Sequence, residues 1–358
     1  MKTIAIIGAG PAGSNLARLI DTEKYNVILV DGSKKKGEKV CGGLLSPDAQ
    51  DLLAKYDMSL PKDVLVSPQL FSVRTIDLGT RDVQYYRRSY MNVNRDKFDQ
   101  FLRDMVSDKV QVLDGVCKKV EHIGKGFQIK ISTDEENQII DCDYVVGAEG
   151  ANSIVRRDLF PDKKIQRYTS IQQWFPKTTE NPFYSCIFDN DTSPSCSWIF
   201  FKDEYMVFGG AFAPEHCREA FEEQKRKLID LGVVSKKQFD SPVRTEACMV
   251  ARPHFIEGIF RGTNGAFLIG EAAGFISPSS LEGISFALAS GEALAEAFEK
   301  GVDSKAILRY YKRNTDKLCL KVKAKCIKRP FMYNRVLRAA IMKTGVAAIQ
   351  IKMQEKKA

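Results

Sequence analysis

The chain has 358 residues, 44 % of them apolar and 28 % charged, and a formal net charge of +9. That length holds two intertwined sub-domains rather than one small module; the composition is that of a globular protein rather than a disordered one, and no internal repeat or low-complexity tract is present. Nine cysteines without a Cys-x-x-Cys pair argue against a disulfide framework or a zinc site, and no run reaches the roughly 18 apolar residues of a membrane span.

Taken in chain order, Thr3–Ile7 reads as a buried strand, Gly8–Gly13 as a glycine turn, Ser14–Ile20 as a helix and Val27–Val30 as a second buried strand. This is the βαβ pattern of a parallel sheet. The first strand starts so near Met1 that no room remains for a cleaved signal peptide. Together with the cysteine usage this predicts a soluble protein of a reducing cytoplasm. Lys34–Ser46 is a charged, glycine-containing loop.

Val64–Tyr90 carries short alternating runs, which predict antiparallel strands outside the nucleotide sheet. Asp96–Val106 is expected to be helical, Val110–Val112 and Gln128–Ile131 strands, Glu135–Asn137 a turn, and Tyr144–Val146 a buried strand ending at Gly147. Residues 165–260 hold aromatic strand-like pieces such as Trp198–Phe201 and Tyr205–Phe208. Ala266–Ile269 returns as a strand, a long helix follows near Gly283–Glu299, and the rest is helical and basic. The predicted fold is α/β: a Rossmann-type domain from residues 1–64, 92–160 and 262–300, an inserted antiparallel β-rich domain from 65–91 and 161–261, and a helical segment 301–358.

Charge is concentrated at the end. Asp316–Ala358 holds twelve Lys or Arg against two acidic residues. Such a segment suits an anionic surface, such as a membrane, a phosphorylated lipid or nucleic acid, or is simply a solvated helical face.

The first glycine of Gly8-Ala9-Gly10-Pro11-Ala12-Gly13 permits a tight turn, the second lets a pyrophosphate approach, and the third allows close packing of helix on strand. The phosphate then lies at a helix N-terminus. Asp31, 18 residues past Gly13, ends the second strand where a carboxylate accepts hydrogen bonds from a ribose. This motif alone does not separate FAD from NAD.

Two later segments do. Tyr144–Ser153, with Val155-Arg156-Arg157 after it, resembles the second fingerprint of FAD-dependent hydroxylases, and Phe267–Phe275 resembles the third. Their acidic positions, usually aspartate in that superfamily, are Glu149 and Glu271 here. Arg95 and Asp99 match its Arg-x-x-x-Asp element. The resemblance implies non-covalent FAD held by Gly8, Gly10, Ala12, Gly13, Asp31, Arg95, Glu149, Gly150, Gly270, Glu271, Gly274 and Gly283, on a para-hydroxybenzoate hydroxylase-like fold.

Within the superfamily, Cys41-Gly42-Gly43, Gly274-Phe275, Pro278 and Glu282-Gly283-Ile284 resemble the geranylgeranyl reductases. Their substrate-strand signature is matched by Trp198 and Phe200, while Ser193, Cys196 and Phe201 replace its Pro, Tyr and Pro. The Trp-x-Trp-x-Ile-Pro element of flavin halogenases is not matched: Cys196 stands at its first Trp, and its Ile and Pro are absent. The resemblance implies reduction of a carbon–carbon double bond in an isoprenoid or similar apolar substrate. Cys41, Gly42 and Gly43 would lie at the ring, and Trp198, Phe200 and Phe208 would line the substrate cavity.

Alternatives stand beside this reading. Cys41 is either a reactive thiol, its pKa lowered if Lys39 is close, or a small packing residue. Trp198 and Phe200 line a cavity or fill a core. Arg156-Arg157 bind an anionic reductant or the FAD phosphates, or are ordinary surface residues. His122, His216 and His254 lack metal-ligand spacing, and no metal is expected. No second nicotinamide fingerprint is present, so NAD(P)H and a carrier such as ferredoxin are both open as reductant. A class A monooxygenase acting on an aromatic or polyketide-like substrate, and a flavin-bearing protein without turnover, are the rival functions. The expected partners are a small apolar substrate and, through the basic segment, the inner face of a membrane, with no nucleic acid.

Overall fold

A computed structural model describes residues 1–32, 40–179, 183–254 and 256–350; Lys39 and the end of the basic segment lie outside them. The first strand, β1 (Lys2–Ile7), sits inside a six-stranded sheet. It pairs in parallel with β2 (Tyr25–Asp31) on one side and β10 (Tyr144–Gly147) on the other. Beyond these lie β6 (Gln111–Asp114), parallel to β2, and β17 (Ala266–Leu268), parallel to β10; β16 (Gly262–Thr263) closes the edge antiparallel to β17. Four widely separated apolar runs thus become neighbours, each buried along its length, as strands of a covered parallel sheet must be.

Helices α1 (Pro11–Leu19) and α6 (Ile284–Lys300) and a small sheet of β7 (Val116–Ile123), β8 (Gly126–Ser132) and β9 (Asn137–Cys142) share one apolar core with these strands. The two helices approach closely because Gly291 has no side chain: a Cβ there would lie 2.7 Å from the Ala12 carbonyl oxygen. Helices α2 (Pro47–Lys55) and α3 (Arg95–Asp104) pack Leu53, Phe98 and Leu102 into a satellite core. Asn94 starts α3 by accepting from the N–H groups of Asp96 and Lys97.

The second large sheet runs β15 (Arg244–Ala251), β11 (Arg167–Pro176), β14 (Tyr205–Phe212), β13 (Ser197–Lys202), β12 (Tyr184–Phe188), β4 (Leu70–Asp77), β5 (Val83–Asn92) and β3 (Leu44–Leu45). Every pairing is antiparallel except that of β12 with β4. Alternation separates its faces. Ile199, Phe201, Met206 and Phe208 pack with α5 (Cys217–Asp230). Leu70, Tyr90, Phe200 and Val207 form a core on the other face. Three helices end the described chain: α7 (Ser304–Asn314), α8 (Asp316–Tyr333) and α9 (Arg335–Thr344). Buried Arg338 of α9 donates to Asp77 of β4 at 2.7 Å and fastens these helices to the large sheet.

Candidate flavin and substrate site

Between the two sheets lies a cavity of about 870 Å³, near the upper end of the range for small-molecule sites. One end is built from backbone. Gly8 has φ +105°, and a Cβ on it would lie 2.8 Å from the Ala148 carbonyl oxygen; a Cβ on Gly13 would lie 1.9 Å from the Gly8 oxygen. Gly10 differs: its Cβ would meet nothing within 4 Å, because it faces open cavity. Gly10 caps α1, and no side chain satisfies the helix end. A pyrophosphate fits this cradle, with the helix dipole behind it.

Asp31 lines the same end, its carboxylate 3.5 Å from the Arg103 guanidinium. Gly8, Gly10, Ala12, Asp31, Arg95, Glu149, Gly150, Glu271 and Gly283 all line the cavity. Gly13, Gly43, Gly270 and Gly274 do not, and their roles are in the backbone. Gly274, at φ +88°, would bring a Cβ to 2.3 Å from the Gly258 oxygen, and Gly270, at φ +55°, lies over Ala12. These two make the backbone turns of the third motif.

The charged positions are also partly absorbed by the protein. Glu149 accepts from the Ser153 hydroxyl at 2.7 Å and from the Ile154 and Val155 N–H groups, so it caps α4 (Ile154–Leu159). Burial nonetheless pushes its pKa up. Glu271 accepts from the Ala251 N–H at 2.8 Å, tying the third motif to β15. Arg95 forms a two-bonded pair with Asp99 at 2.8 and 3.0 Å. Against the cost of burial, Asp99 and then Cys41 lift its pKa above the ordinary arginine range.

Arg156 and Arg157 part company. Arg156 is buried and donates to the carbonyls of Lys163, Ala272 and Gly258, joining the second and third motifs, whereas Arg157 pairs with Asp158 at the surface. The anion-binding reading of Arg156 gives way to a structural one, since each of its three nitrogens already donates to a backbone carbonyl.

Toward the middle, Cys41 and Gly42 line the cavity. A Cβ on Gly42 would lie 3.2 Å from the Phe200 ring, and one on Gly43 (φ +60°) would lie 2.4 Å from the Val93 oxygen and 2.9 Å from Lys202 Nζ. The Cys-Gly-Gly loop therefore lies directly on β13. Lys202 is buried beneath it, donating to Asn92 Oδ1 at 2.9 Å and to the Val93 carbonyl. Desolvation lowers its pKa to about 8, opposed by the Cys41 and Asp203 charges. The Cys41 Sγ accepts from the Gly43 N–H at 3.4 Å, and Arg95 lines the same cavity.

The far end is aromatic. Trp198, Phe200, Tyr90 and Tyr184 line it; the Tyr184 ring lies 5.3 Å from Tyr90 and 6.2 Å from Phe200. Phe208 does not belong here. It lies on the opposite face of the sheet, opposite Ile199 in register, with its ring 5.0 Å from Phe221 and 5.1 Å from Phe239. The expectation that it lines the substrate cavity is overturned because Trp198 and Phe200 occupy the other side of the pleat.

Sequence reasoning also missed a polar group at this end. Tyr90 donates to Glu282 at 2.6 Å, and Arg88 donates to both Glu282 oxygens at 3.1 and 3.0 Å. Burial, then the Glu282 charge, raises the Tyr90 pKa well above its ordinary value. Arg88 and Tyr90 lie two residues apart on β5, but nothing in the spacing joined them to Glu282. Among the described residues no three or more His, Cys, Asp or Glu gather as a metal site.

A glycine turn opening α1, an acid ending β2 and two further motifs folded onto the same cavity define a flavoprotein of the FAD-dependent hydroxylase-like type. The chain belongs to the FAD binding domain family, whose model matches residues 1–319, and it binds FAD. It is 42 % identical over 351 residues to protein CbrA of Escherichia coli K12, covering 97 % of each chain. The fold is shared with a geranylgeranyl bacteriochlorophyll reductase-like protein of Thermoplasma acidophilum: TM-score 0.79, 17 % identity, 95 % of this chain and 90 % of that one. It is shared also with PqsL of Pseudomonas aeruginosa, a probable FAD-dependent monooxygenase: TM-score 0.69, 14 % identity, 96 % and 99 %.

Proposed function

We propose that the chain is an FAD-dependent reductase that saturates carbon–carbon double bonds of an isoprenoid or similarly apolar substrate. The observation that supports this reading best is the Cys41 thiol in the cavity wall, between the glycine cradle and the aromatic end, with Arg95 and Lys202 behind it. When bound, reduced FAD supplies a hydride to one alkene carbon. The chain's own residues do the rest. Trp198, Phe200 and Tyr184 hold the apolar chain and exclude water. Cys41 Sγ holds the proton for the second carbon. Tyr90, fixed by Glu282 and Arg88, places one polar group against the substrate and orients it. The structural likeness to the Thermoplasma reductase-like protein agrees with this reading at the level of fold.

An anaerobic single-turnover experiment tests it. The purified holoenzyme is reduced by light, so that neither NAD(P)H nor a protein carrier is needed, and mixed with a geranylgeranyl lipid. Flavin reoxidation without oxygen and a product carrying two added hydrogens are expected. Reoxidation only after oxygen is admitted, with an oxygen atom in the product, would make the chain a monooxygenase. No turnover under either condition with this lipid would overturn the reductase proposal for isoprenoids.

A further inference from the structure

Seven of the eighteen exposed large hydrophobic side chains among the described residues fall within 316–350, a clustering that chance exposure does not produce. On α8, Leu320, Ile327 and Phe331 recur at i, i+7 and i+11 and are 65 %, 57 % and 47 % exposed, while Val322 and Cys326 turn inward. On α9, Val336, Leu337 and Ile341 are exposed at 74 %, 39 % and 40 %, and Arg338 and Met342 are buried. Two consecutive helices thus each present an outward apolar stripe in addition to the inward one that packs on the protein.

The cations are interleaved with these stripes. Lys317, Lys323, Lys328 and Lys343 are exposed, and no ion pair engages them among the described residues. Within 316–350 there are nine Lys or Arg and one acidic residue, Asp316, which is paired with Arg261. Apolar stripes fringed by lysine are the pattern of helices that lie in the plane of a bilayer interface. No helix of the described chain is long and apolar enough to cross a membrane.

We infer that the outer faces of α8 and α9 form a docking surface for a bilayer that contains anionic phospholipid. Charge complementarity selects this occupant: a self-contact would set the lysines against their own copies. The surface also adjoins the aromatic end of the cavity. Met332 and Tyr333, at the end of α8, pack on the core that contains Tyr90, Tyr184 and Phe200, and the Tyr333 hydroxyl donates to the Ser279 carbonyl at 2.6 Å. An apolar substrate drawn from the leaflet would therefore reach the wall described above; that clause alone rests on the reductase reading.

The test is co-sedimentation of the full-length holoprotein with vesicles of phosphatidylcholine alone, or of phosphatidylcholine with one third phosphatidylglycerol. Binding is expected only to the anionic vesicles and should weaken as salt rises. Ile327→Glu with Phe331→Glu, and separately Lys323→Glu with Lys328→Glu, should each lower partitioning roughly tenfold or more. All four side chains are exposed, so both variants should retain FAD and thermal stability. Absence of binding, equal binding to neutral vesicles, or binding untouched by both variants overturns the proposal. So does a dimer that the Ile327→Glu and Phe331→Glu variant dissolves in light scattering, which would make the patch a self-interface. Failure here leaves the alkene assay intact, since photoreduction and turnover in detergent require no vesicle.

Discussion

The two large sheets meet across one cavity but form their halves of it by different means. The six-stranded sheet presents mainly backbone, a glycine turn, a helix end and strand termini, with the acidic side chains of Asp31, Glu149 and Glu271 beside them. The eight-stranded sheet presents side chains, and the same strands fill a core on their other face. A backbone-built site is written in glycines at fixed spacing. A side-chain-built site depends on which of two faces a residue takes, and strands apolar on both faces do not declare it.

The largest effect that tests this contrast lies in the glycine turn. Gly10→Val should fold normally, since a Cβ there meets no protein atom within 4 Å, yet lose FAD affinity by roughly a thousandfold, about 4 kcal/mol. Gly13→Val, whose Cβ alone would lie 1.9 Å from the Gly8 oxygen, should instead lose about 3 kcal/mol of folding stability. Flavin titration beside thermal unfolding separates the two, and a yellow, stoichiometric Gly10→Val protein would refute the cradle.

In the eight-stranded sheet, Phe208→Ala should cost about 3–5 kcal/mol of stability without changing the KM of the folded fraction. Trp198→Phe should raise KM several-fold while stability stays within about 1.5 kcal/mol. Reversal of that pattern would put Phe208 back in the cavity. Next in size, Cys41→Ser should leave FAD affinity intact and slow single-turnover reduction by about a hundredfold; unchanged rates would leave the thiol a packing group.

The smallest effect concerns Lys202. Its folded pKa of about 8 lies below the ordinary 10.5. Between these values the unfolded chain binds a proton that the folded chain has released, so this group adds stability as pH rises. The wild type should gain about 1 kcal/mol on Lys202→Met between pH 8 and pH 9 in denaturant unfolding. A constant difference would mean that the amine titrates normally.

Much of the nucleotide side was legible because its requirements are local. Gly8, Gly10 and Gly13 sit between a strand and a helix, and Asp31 ends the next strand. Even there, the contacts of Glu149 with Ser153, Ile154 and Val155 were not legible, because they depend on how the chain turns after β10. The other sheet resisted for two physical reasons. Trp198–Phe201 and Met206–Phe208 are apolar on both faces, so alternation assigned neither inside nor outside, and Phe208 was placed on the wrong side. The Arg88–Tyr90–Glu282 group joins residues some 190 positions apart, a pairing that only the fold creates. Arg156 was ambiguous for a related reason: a buried arginine that holds carbonyls has the same sequence signature as one that awaits a ligand.

The Arg338–Asp77 contact governs how the tail is to be edited. Deleting the last helix would strand a carboxylate in the interior of the neighbouring β-structure, at a cost of about 3–5 kcal/mol. A truncated protein that fails to float with liposomes would then report general collapse, so point changes on the outer stripe are the informative scissors.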